Sequence, residues 1–167
     1  MTAASLTNYI SKSKVSSVLN KDTKSFGRQF LFDGNAETCW NSEQGTPQSI
    51  LVEFSQPVRI SQVRIQFQGG FAGNETWLVD AARGHEICPL YTEDNNRVQQ
   101  FELPESEQAV DRTRLKIVFL SSTDFYGRIV VYALDFIGCI SENPAASNTK
   151  SSGPTGDGEV AASVVII

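Results

Sequence analysis

The segment FDGNAETCWNSEQG, residues 32–45, concentrates side chains that could bind an ion, bind a sugar or pin a turn. Asp33 can accept hydrogen bonds from the backbone amides of a turn, and Gly34 can adopt a positive φ. Thr38 can tie the turn through its hydroxyl, and Trp40 can bury its indole against a core. The segment predicts a turn anchored by Trp40, and ion binding and sugar binding stay open as alternatives.

The sequence offers little for catalysis. His85, in ARGHEIC, is the only histidine, and a Ser-His-Asp or Cys-His device needs a base held by a neighbouring group. The His85-Glu86 pair lacks the HExxH spacing of a helical zinc site. The glycines of GGFAG, residues 69–73, lack the spacing and the strand-to-helix setting of a phosphate loop. We therefore expect no catalytic residue and no enzymatic activity.

Composition and charge narrow the class of protein. The 167 residues are 40% hydrophobic and only 20% charged, with ten Phe and one Met, which suits one all-β domain with an appendage. The net charge of -5 disfavours a general nucleic-acid binder. Residues 1–32 nevertheless hold five basic residues against one acidic residue. This basic segment, centred on 12–28, leaves binding of nucleic-acid ends as an alternative.

The cysteines and the terminus indicate the compartment. Cys39, Cys88 and Cys139 form neither an even disulfide framework nor a CxxC zinc pattern. The N-terminus lacks the charged-then-apolar layout of a secretory signal. No apolar run reaches the roughly 20 residues that a membrane helix needs. We expect an intracellular protein with reduced thiols and no membrane partner.

Alternating apolar residues predict β-strands. The segment ISQVRIQFQ, residues 60–68, has the period of a half-buried strand. The segment 128–138 is apolar on both faces, which is typical of a strand in the middle of a sandwich or barrel. A strand at 49–54 is expected to end at Pro57, and 11–20 could form a helical turn or a first strand. Further strands are predicted at 76–82, 85–91, 98–103 and 114–120.

The composition changes after Cys139. Residues 141–159 are rich in Ser, Asn, Gly and Pro and cannot bury a core. The final VAASVVII is apolar and could be a cloning remnant, a partner-binding peptide or an added sheet edge. We therefore predict an N-terminal arm at 1–13, a β domain at 14–140 and a flexible C-terminal tail at 141–167.

The corner at 32–45 resembles that of discoidin-like domains, also called F5/8 type C or galactose-binding-like domains. Its FDGN run is followed by Thr38 and Trp40 at the spacing of that motif. SILVEFSQPVRISQVRIQF, residues 49–67, resembles the strand pair that follows, and TDFYGRIVVYALDFIG, residues 123–138, resembles the closing strand. The resemblance implies an all-β jelly-roll sandwich of about eight antiparallel strands, with Trp40 and Gly34 as structural residues of the corner.

Four separated blocks resemble one small intracellular branch of this class. The blocks are FDGNAETCWNSEQG, IQFQGGF, YTEDNN and TDFYGRIVVY. Members of that branch are non-enzymatic, bind a nuclear receptor and repress its activity by hindering its attachment to DNA. The resemblance implies a non-catalytic protein-interaction module of the nucleus or cytoplasm that represses receptor-mediated transcription, with a nuclear receptor as its partner.

In many discoidin-like lectins the same corner binds calcium. An Asp carboxylate, a Thr hydroxyl, loop carbonyls and a Glu of the last strand supply oxygens, and calcium takes six to eight of them. Asp33 and Thr38 match this pattern, while Ala133 aligns with the Glu. Asp135, two residues on, shares that face of the strand. The resemblance implies Ca²⁺ as the one candidate cofactor, with Asp33, Thr38 and Asp135 as its ligands.

Loops 41–48, 69–75 and 121–128 supply the candidates for contact with a partner or a sugar. The candidate residues are Asn41, Phe71, Asn74, Tyr126 and Arg128. Aromatic loop tips on a rigid sandwich suit protein partners as well as sugars. Structural explanations also exist, because Phe71 can fold over the core and Arg128 can pair with a nearby carboxylate. Three hypotheses follow, in this order: a protein partner, a calcium-supported carbohydrate, and a nucleic-acid end.

Overall fold

The computed structural model describes residues 2–142, so the tail predicted from 141 lies outside the described residues except at its start. Nine strands form within residues 2–142: β1 Ala4–Ser5, β2 Ile10–Val15, β3 Trp40–Asn41, β4 Gln48–Phe67, β5 Gly73–Asp80, β6 His85–Leu90, β7 Val98–Glu102, β8 Arg112–Ser122 and β9 Val130–Ile140. Two single-turn helices, α1 Thr23–Phe26 and α2 Glu105–Gln108, accompany 3-10 turns at Thr7–Tyr9, Leu19–Lys21 and Arg28–Leu31. No helix in the described range is long and apolar enough to cross a membrane.

Strand β4 is shared by two sheets. Its first half, up to Phe54, pairs with β2 and β8, and that sheet continues through β5 to β6. Its second half, from Val58, pairs with β9 and β7, and β1 and β3 pair with β9. Every one of these pairings is antiparallel. The predicted all-β antiparallel sandwich is therefore confirmed.

The prediction that a strand ends at Pro57 was wrong, because β4 runs through it without a break. Proline cannot donate to a strand ladder, but the ladder with β8 already changes register between Glu53 and Val58. The Pro57 carbonyl instead accepts a hydrogen bond from the Ser141 amide at 3.0 Å. Pro57 thus lies where β4 passes from one sheet to the other.

The segment proposed as an N-terminal arm is paired with the sheets where it is described. Ala4 pairs with Gly138, and Lys12 pairs with Glu53. Leu6 is buried, and its amide donates to the Phe136 carbonyl at 2.8 Å. Of the two alternatives for residues 11–20, a strand forms as far as Val15 and a 3-10 turn follows it.

The core lies between the two sheets. Trp40 and Phe119 pack with ring centroids 6.3 Å apart, and Phe67 meets Phe119 edge to face at 5.8 Å. Strand β9, predicted to be apolar on both faces, has paired strands on both sides. Burying a large apolar side chain contributes about 1.5–3 kcal/mol. The core therefore makes a firm support for the loops at the ends of the strands.

Candidate functional site

The DG corner, residues 33–38, closes on itself through side-chain hydrogen bonds. Asp33 Oδ1 accepts from the Asn35 amide at 2.9 Å, and Asp33 Oδ2 accepts from the Thr38 hydroxyl at 2.6 Å. Gly34 takes a φ of +70°, the left-handed region that favours glycine. Both oxygens of the Asp33 carboxylate therefore serve the turn.

Trp40 anchors the corner to the core. Its side chain is fully buried, and its indole N–H donates to the Ser17 carbonyl at 2.8 Å. Trp40 and Asn41 form β3, which pairs with Val131 and Val130 of β9. The indole thus bonds the corner to the segment at Ser17, and the β3 backbone pairs it with the start of the closing strand.

Of the predicted calcium ligands, Asp33 and Thr38 bond to each other, while Asp135 bonds to the N-terminal segment. Asp135 Oδ1 accepts hydrogen bonds from Ser5 Oγ at 2.7 Å and from Thr7 Oγ1 at 3.0 Å, so it is held by the first strand and turn. No group of three or more His, Cys, Asp or Glu side chains within residues 2–142 is placed to hold a metal ion. The Asp33 carboxylate and the Thr38 hydroxyl supply three of the six to eight oxygens that calcium takes, so the calcium site stays a prediction.

Three loops meet at one end of the sandwich, and we call them the loop cluster: 42–47, 68–72 and 123–129. The Gly45 amide donates to the Tyr126 carbonyl at 2.8 Å. The Thr123 amide donates to the Ala72 carbonyl at 2.9 Å. These backbone bonds tie the third loop to each of the other two, so the loops form one surface.

Glycine is required where two of these loops touch. Gly127 has a φ of +84°, and a Cβ built there would lie 2.9 Å from the Gly45 amide nitrogen. Real Cβ atoms do not approach backbone this closely, and positive φ is strained for a side-chain-bearing residue. The Gly127 backbone therefore allows the Tyr126 carbonyl to reach the Gly45 amide.

Arg128 organises the aromatic residues of the loop cluster. Its guanidinium lies 5.0 Å from the Phe71 ring centroid and 5.8 Å from that of Tyr126, within cation–π range. Asp124 accepts from Arg128 Nε at 2.9 Å and from Nη2 at 3.2 Å. The hydrogen bonds from Arg128 hold the pKa of the Asp124 carboxyl below its ordinary value. One ion pair therefore fixes the cation against two rings.

Two aromatic side chains project from the tip of this cluster. Phe125 is 92% exposed and Tyr126 is 57% exposed, and their rings meet edge to face at 5.1 Å. Sequence reasoning named Tyr126 but missed Phe125. The signal available was an apolar ring in a turn between Asp124 and Gly127, where no core contact is expected. Exposed apolar patches are common at interaction sites, so these two rings are candidates for contact with a partner.

The other candidates lie in different places. Asn74, the second residue of β5, lines a separate groove of about 350 Å³ with Trp77 and Tyr91. Asn41 lies on β3, just before the loop cluster, and its buried Oδ1 has no hydrogen-bond partner within residues 2–142. Of the five predicted contact residues, the structure therefore brings together Phe71, Tyr126 and Arg128. Asn41 and Asn74 lie apart from them.

The opposite end of the sandwich is closed by buried charges. Asp80 is fully buried and accepts hydrogen bonds from Arg112 and Arg83, each at 2.7 Å. Arg112, itself buried, also pairs with Glu107. Burial acts to raise the pKa of Asp80, but the hydrogen bonds from Arg112 and Arg83 outweigh it and hold that pKa below its ordinary value. Exposed His85 pairs with Asp80 in the strand ladder at this end.

The antiparallel sandwich and its corner at residues 33–38 are those of the galactose-binding-like, F5/8 type C class of domains. A family model described as a NedA-like, galactose-binding domain matches residues 30–110. A family 32 carbohydrate-binding module of Clostridium perfringens, in complex with GalNAc-β-1,3-galactose, superposes with a TM-score of 0.65 at 19% identity, covering 80% of this chain and 99% of that one. Chitosan-binding module 1 of a Paenibacillus chitosanase/glucanase gives 0.64 at 17%, covering 81% and 99%. At these identities the likeness shows the fold.

Sequence relatives narrow this class. The nuclear receptor 2C2-associated protein of Danio rerio is 50% identical over 139 residues, 81% of this chain and 96% of that protein. The Homo sapiens protein of the same name is 48% identical over 130 residues, 75% of this chain and 90% of that protein. The chain therefore belongs to the nuclear receptor 2C2-associated protein family. Both resemblances expected from the sequence, to the class and to its receptor-associated branch, are confirmed.

Proposed function

We propose that this protein is a non-catalytic protein-interaction module whose loop cluster binds a nuclear receptor. The observation that carries the proposal is the pair of exposed rings, Phe125 and Tyr126, on loops that backbone hydrogen bonds tie together. The names of the relatives supply the kind of partner. The predicted partner residues Phe71, Tyr126 and Arg128 stand within this surface.

The geometry of the loop cluster suits binding energetically. Aromatic and Arg side chains dominate the binding energy of protein interfaces. Phe71 and Tyr126 are already held against Arg128, and the Tyr126 backbone is bonded to Gly45. A surface ordered before binding loses less conformational entropy on association. We infer that the rings enter a partner's apolar pocket with little rearrangement.

Binding at this end would let the protein act as an adaptor that represses receptor-mediated transcription. The net charge of -5 disfavours direct contact with DNA by the module itself. The proposed effect is therefore exerted on the receptor, by hindering its attachment to DNA in the nucleus or by holding it in the cytoplasm.

Capture of this protein on immobilised, purified nuclear receptor 2C2 tests the proposal. We expect the double variant Phe125→Ser and Tyr126→Ser to lose about tenfold or more in affinity, since loss of two interface rings costs at least 1.4 kcal/mol. Tyr91→Ser is the matched control, because Tyr91 is 81% exposed and lies outside the loop cluster. Equal capture of both variants would refute the assignment of the loop cluster.

Carbohydrate binding is the second candidate function. One observation favours it: a ring, a guanidinium and a carboxylate meet at the loop end through Phe71, Arg128 and Asp124. Titration calorimetry with galactose and with N-acetylgalactosamine, in calcium and in EDTA, distinguishes the candidates. Heat of sugar binding by the wild type that disappears in Phe71→Ala would favour a sugar ligand. No heat with either sugar, together with retained receptor capture, would favour the protein partner.

A further inference from the structure

A groove lies along the free edge of strand β2. Within residues 2–142, β2 pairs with β4 alone, so its second edge has no strand beside it. A cavity of about 440 Å³ lies there, with residues 12–15 of β2 on one wall and Thr23, Gly27 and Arg28 on the other. A second cavity of about 440 Å³ shares Lys12 and Arg28 and continues the groove. An edge strand beside an open groove can accept a further extended chain.

The cations of this groove are unpaired. Lys12, Lys14 and Arg28 are exposed, and none of them forms an ion pair with another residue of the described range. No Asp or Glu lines either cavity. Three positive charges with no internal partner therefore face one groove.

The nearby carboxylates are engaged elsewhere. Glu53, the strand partner of Lys12, pairs with Arg114 at 3.4 Å. Asp22 accepts a hydrogen bond from the Ser25 amide at 3.1 Å and so caps helix α1. The groove therefore keeps a net positive charge although the whole chain is acidic.

The spacing of the groove residues matches an extended peptide. Lys12 and Lys14 alternate along β2, so they point to one face about 6.6 Å apart. Acidic side chains at alternate positions of an added strand would lie opposite them at cross-strand distance. The half-buried side chains of Val15 and Val18 also line the cavity and provide an apolar surface.

We propose that this groove binds an extended acidic segment of a partner protein. Alternate carboxylates of the segment pair with Lys12, Lys14 and Arg28, and the apolar residues between them contact Val15 and Val18. A nucleic acid is disfavoured, because its continuous phosphate charge would extend past three cations onto an acidic body. The site is separate from the loop cluster and does not depend on the proposed receptor binding.

Fluorescence anisotropy with labelled probes and the full chain tests the site. The probes are a Glu-Val-Glu-Val-Glu peptide, a Lys-Val-Lys-Val-Lys peptide and a single-stranded oligonucleotide, each at 50 and 200 mM salt. We expect the acidic peptide alone to bind, and more weakly at the higher salt. The double variant Lys12→Glu and Lys14→Glu should lose about tenfold in affinity, since two pairs become repulsive.

The control carries the same change in charge outside the groove. Lys21 and Lys24 belong to the same basic segment but line neither cavity. We expect the double variant Lys21→Glu and Lys24→Glu to retain affinity within about threefold, since long-range effects are screened. Equal losses in both double variants, tighter binding of the oligonucleotide, or no peptide binding at 50 mM salt would each overturn the proposal. Thermal melts of the variants, whose changed residues are exposed, check that folding is intact.

Discussion

The two ends of the sandwich use the same kind of ion pair for opposite purposes. At the loop cluster, Arg128 pairs with Asp124 while the neighbouring Phe125 is 92% exposed. At the other end, Arg112 pairs with Asp80 and both side chains are almost completely buried, at 1% and 0%. The buried pair is surrounded by protein and closes the fold. The Arg128–Asp124 pair, whose side chains are 32% and 11% exposed, holds aromatic rings at the surface, where they are available to a partner.

This difference in burial predicts at which end a substitution destabilises the fold more. Removing one member of a buried pair leaves an uncompensated charge, which destabilises strongly. Removing the partly exposed Arg128–Asp124 pair should cost less stability, because water can reach and replace the lost partner. We therefore expect stability to depend on the Arg112 end and binding to depend on the loop cluster.

The largest effect is expected at Arg112. Substituting Arg112→Met should lower the free energy of unfolding by about 3 kcal/mol, since the buried Asp80 keeps only Arg83 as a charged partner. Arg114→Met is the matched control, because the Arg114 side chain is 43% exposed, and it should cost less than about 1 kcal/mol. Urea unfolding measures both. Similar losses in the two variants would contradict the contrast between a buried ion pair and an exposed one.

A backbone effect of intermediate size is expected at Gly127. Gly127→Ala should cost about 2 kcal/mol, because strain at positive φ is added to a clash with the Gly45 backbone. Gly84→Ala has a similar φ of +77° but an open space around its Cβ, so strain alone applies. Denaturant unfolding should therefore show a clearly larger loss at Gly127. A smaller loss there would mean that the loops 42–47 and 123–129 do not touch as described.

A smaller effect concerns pH. The folded-state pKa of Asp124 is lowered, so its contribution to stability is present above its unfolded pKa of about 3.9 and is lost as pH falls through the folded value. We expect wild type to be more stable than Asp124→Asn at pH 7 and the difference to shrink below about pH 4. Thermal melts from pH 7 to pH 2.5 measure it. A stability difference between wild type and Asp124→Asn that grows as the pH falls would contradict a lowered pKa for Asp124.

The smallest effect is expected from calcium. Because the Asp33 carboxylate and the Thr38 hydroxyl bond to each other, a millimolar excess of calcium over EDTA should move the melting temperature by less than about 1 °C. The same melts, in calcium and in EDTA, are measured for Asp33→Ala. A calcium-dependent rise that this substitution abolishes would show that the corner rearranges to take the ion.

Local sequence patterns predicted most of the fold. The alternation at 60–68 and the two-sided apolar pattern at 128–138 correspond to strands in β4 and β9. Strand β1 was missed because two residues carry no period, and its pairing with Gly138 depends on the whole fold. The passage of β4 through Pro57 was missed for a similar reason, because only the pairing of its two halves with different sheets reveals it.

The candidate site was less predictable than the fold. The loops were foreseen from their turn residues, and Arg128 was expected to pair with a nearby carboxylate. The pairing of Asp80 with Arg112, 32 residues apart, leaves no local signal. The separation of Asn74 from Phe71 likewise depends on which groove each strand end faces. Such arrangements are set by tertiary packing, which a single sequence does not display.

The most direct test of the account is titration of purified nuclear receptor 2C2 into the nitrogen-15-labelled protein. We predict that the amide signals of 42–47, 68–72 and 123–129 shift or broaden first, while those around Asp80 and Arg112 stay unchanged. Changes confined to the end that holds Asp80 and Arg112, with the loop cluster unaffected, would contradict the assignment of binding to the aromatic end.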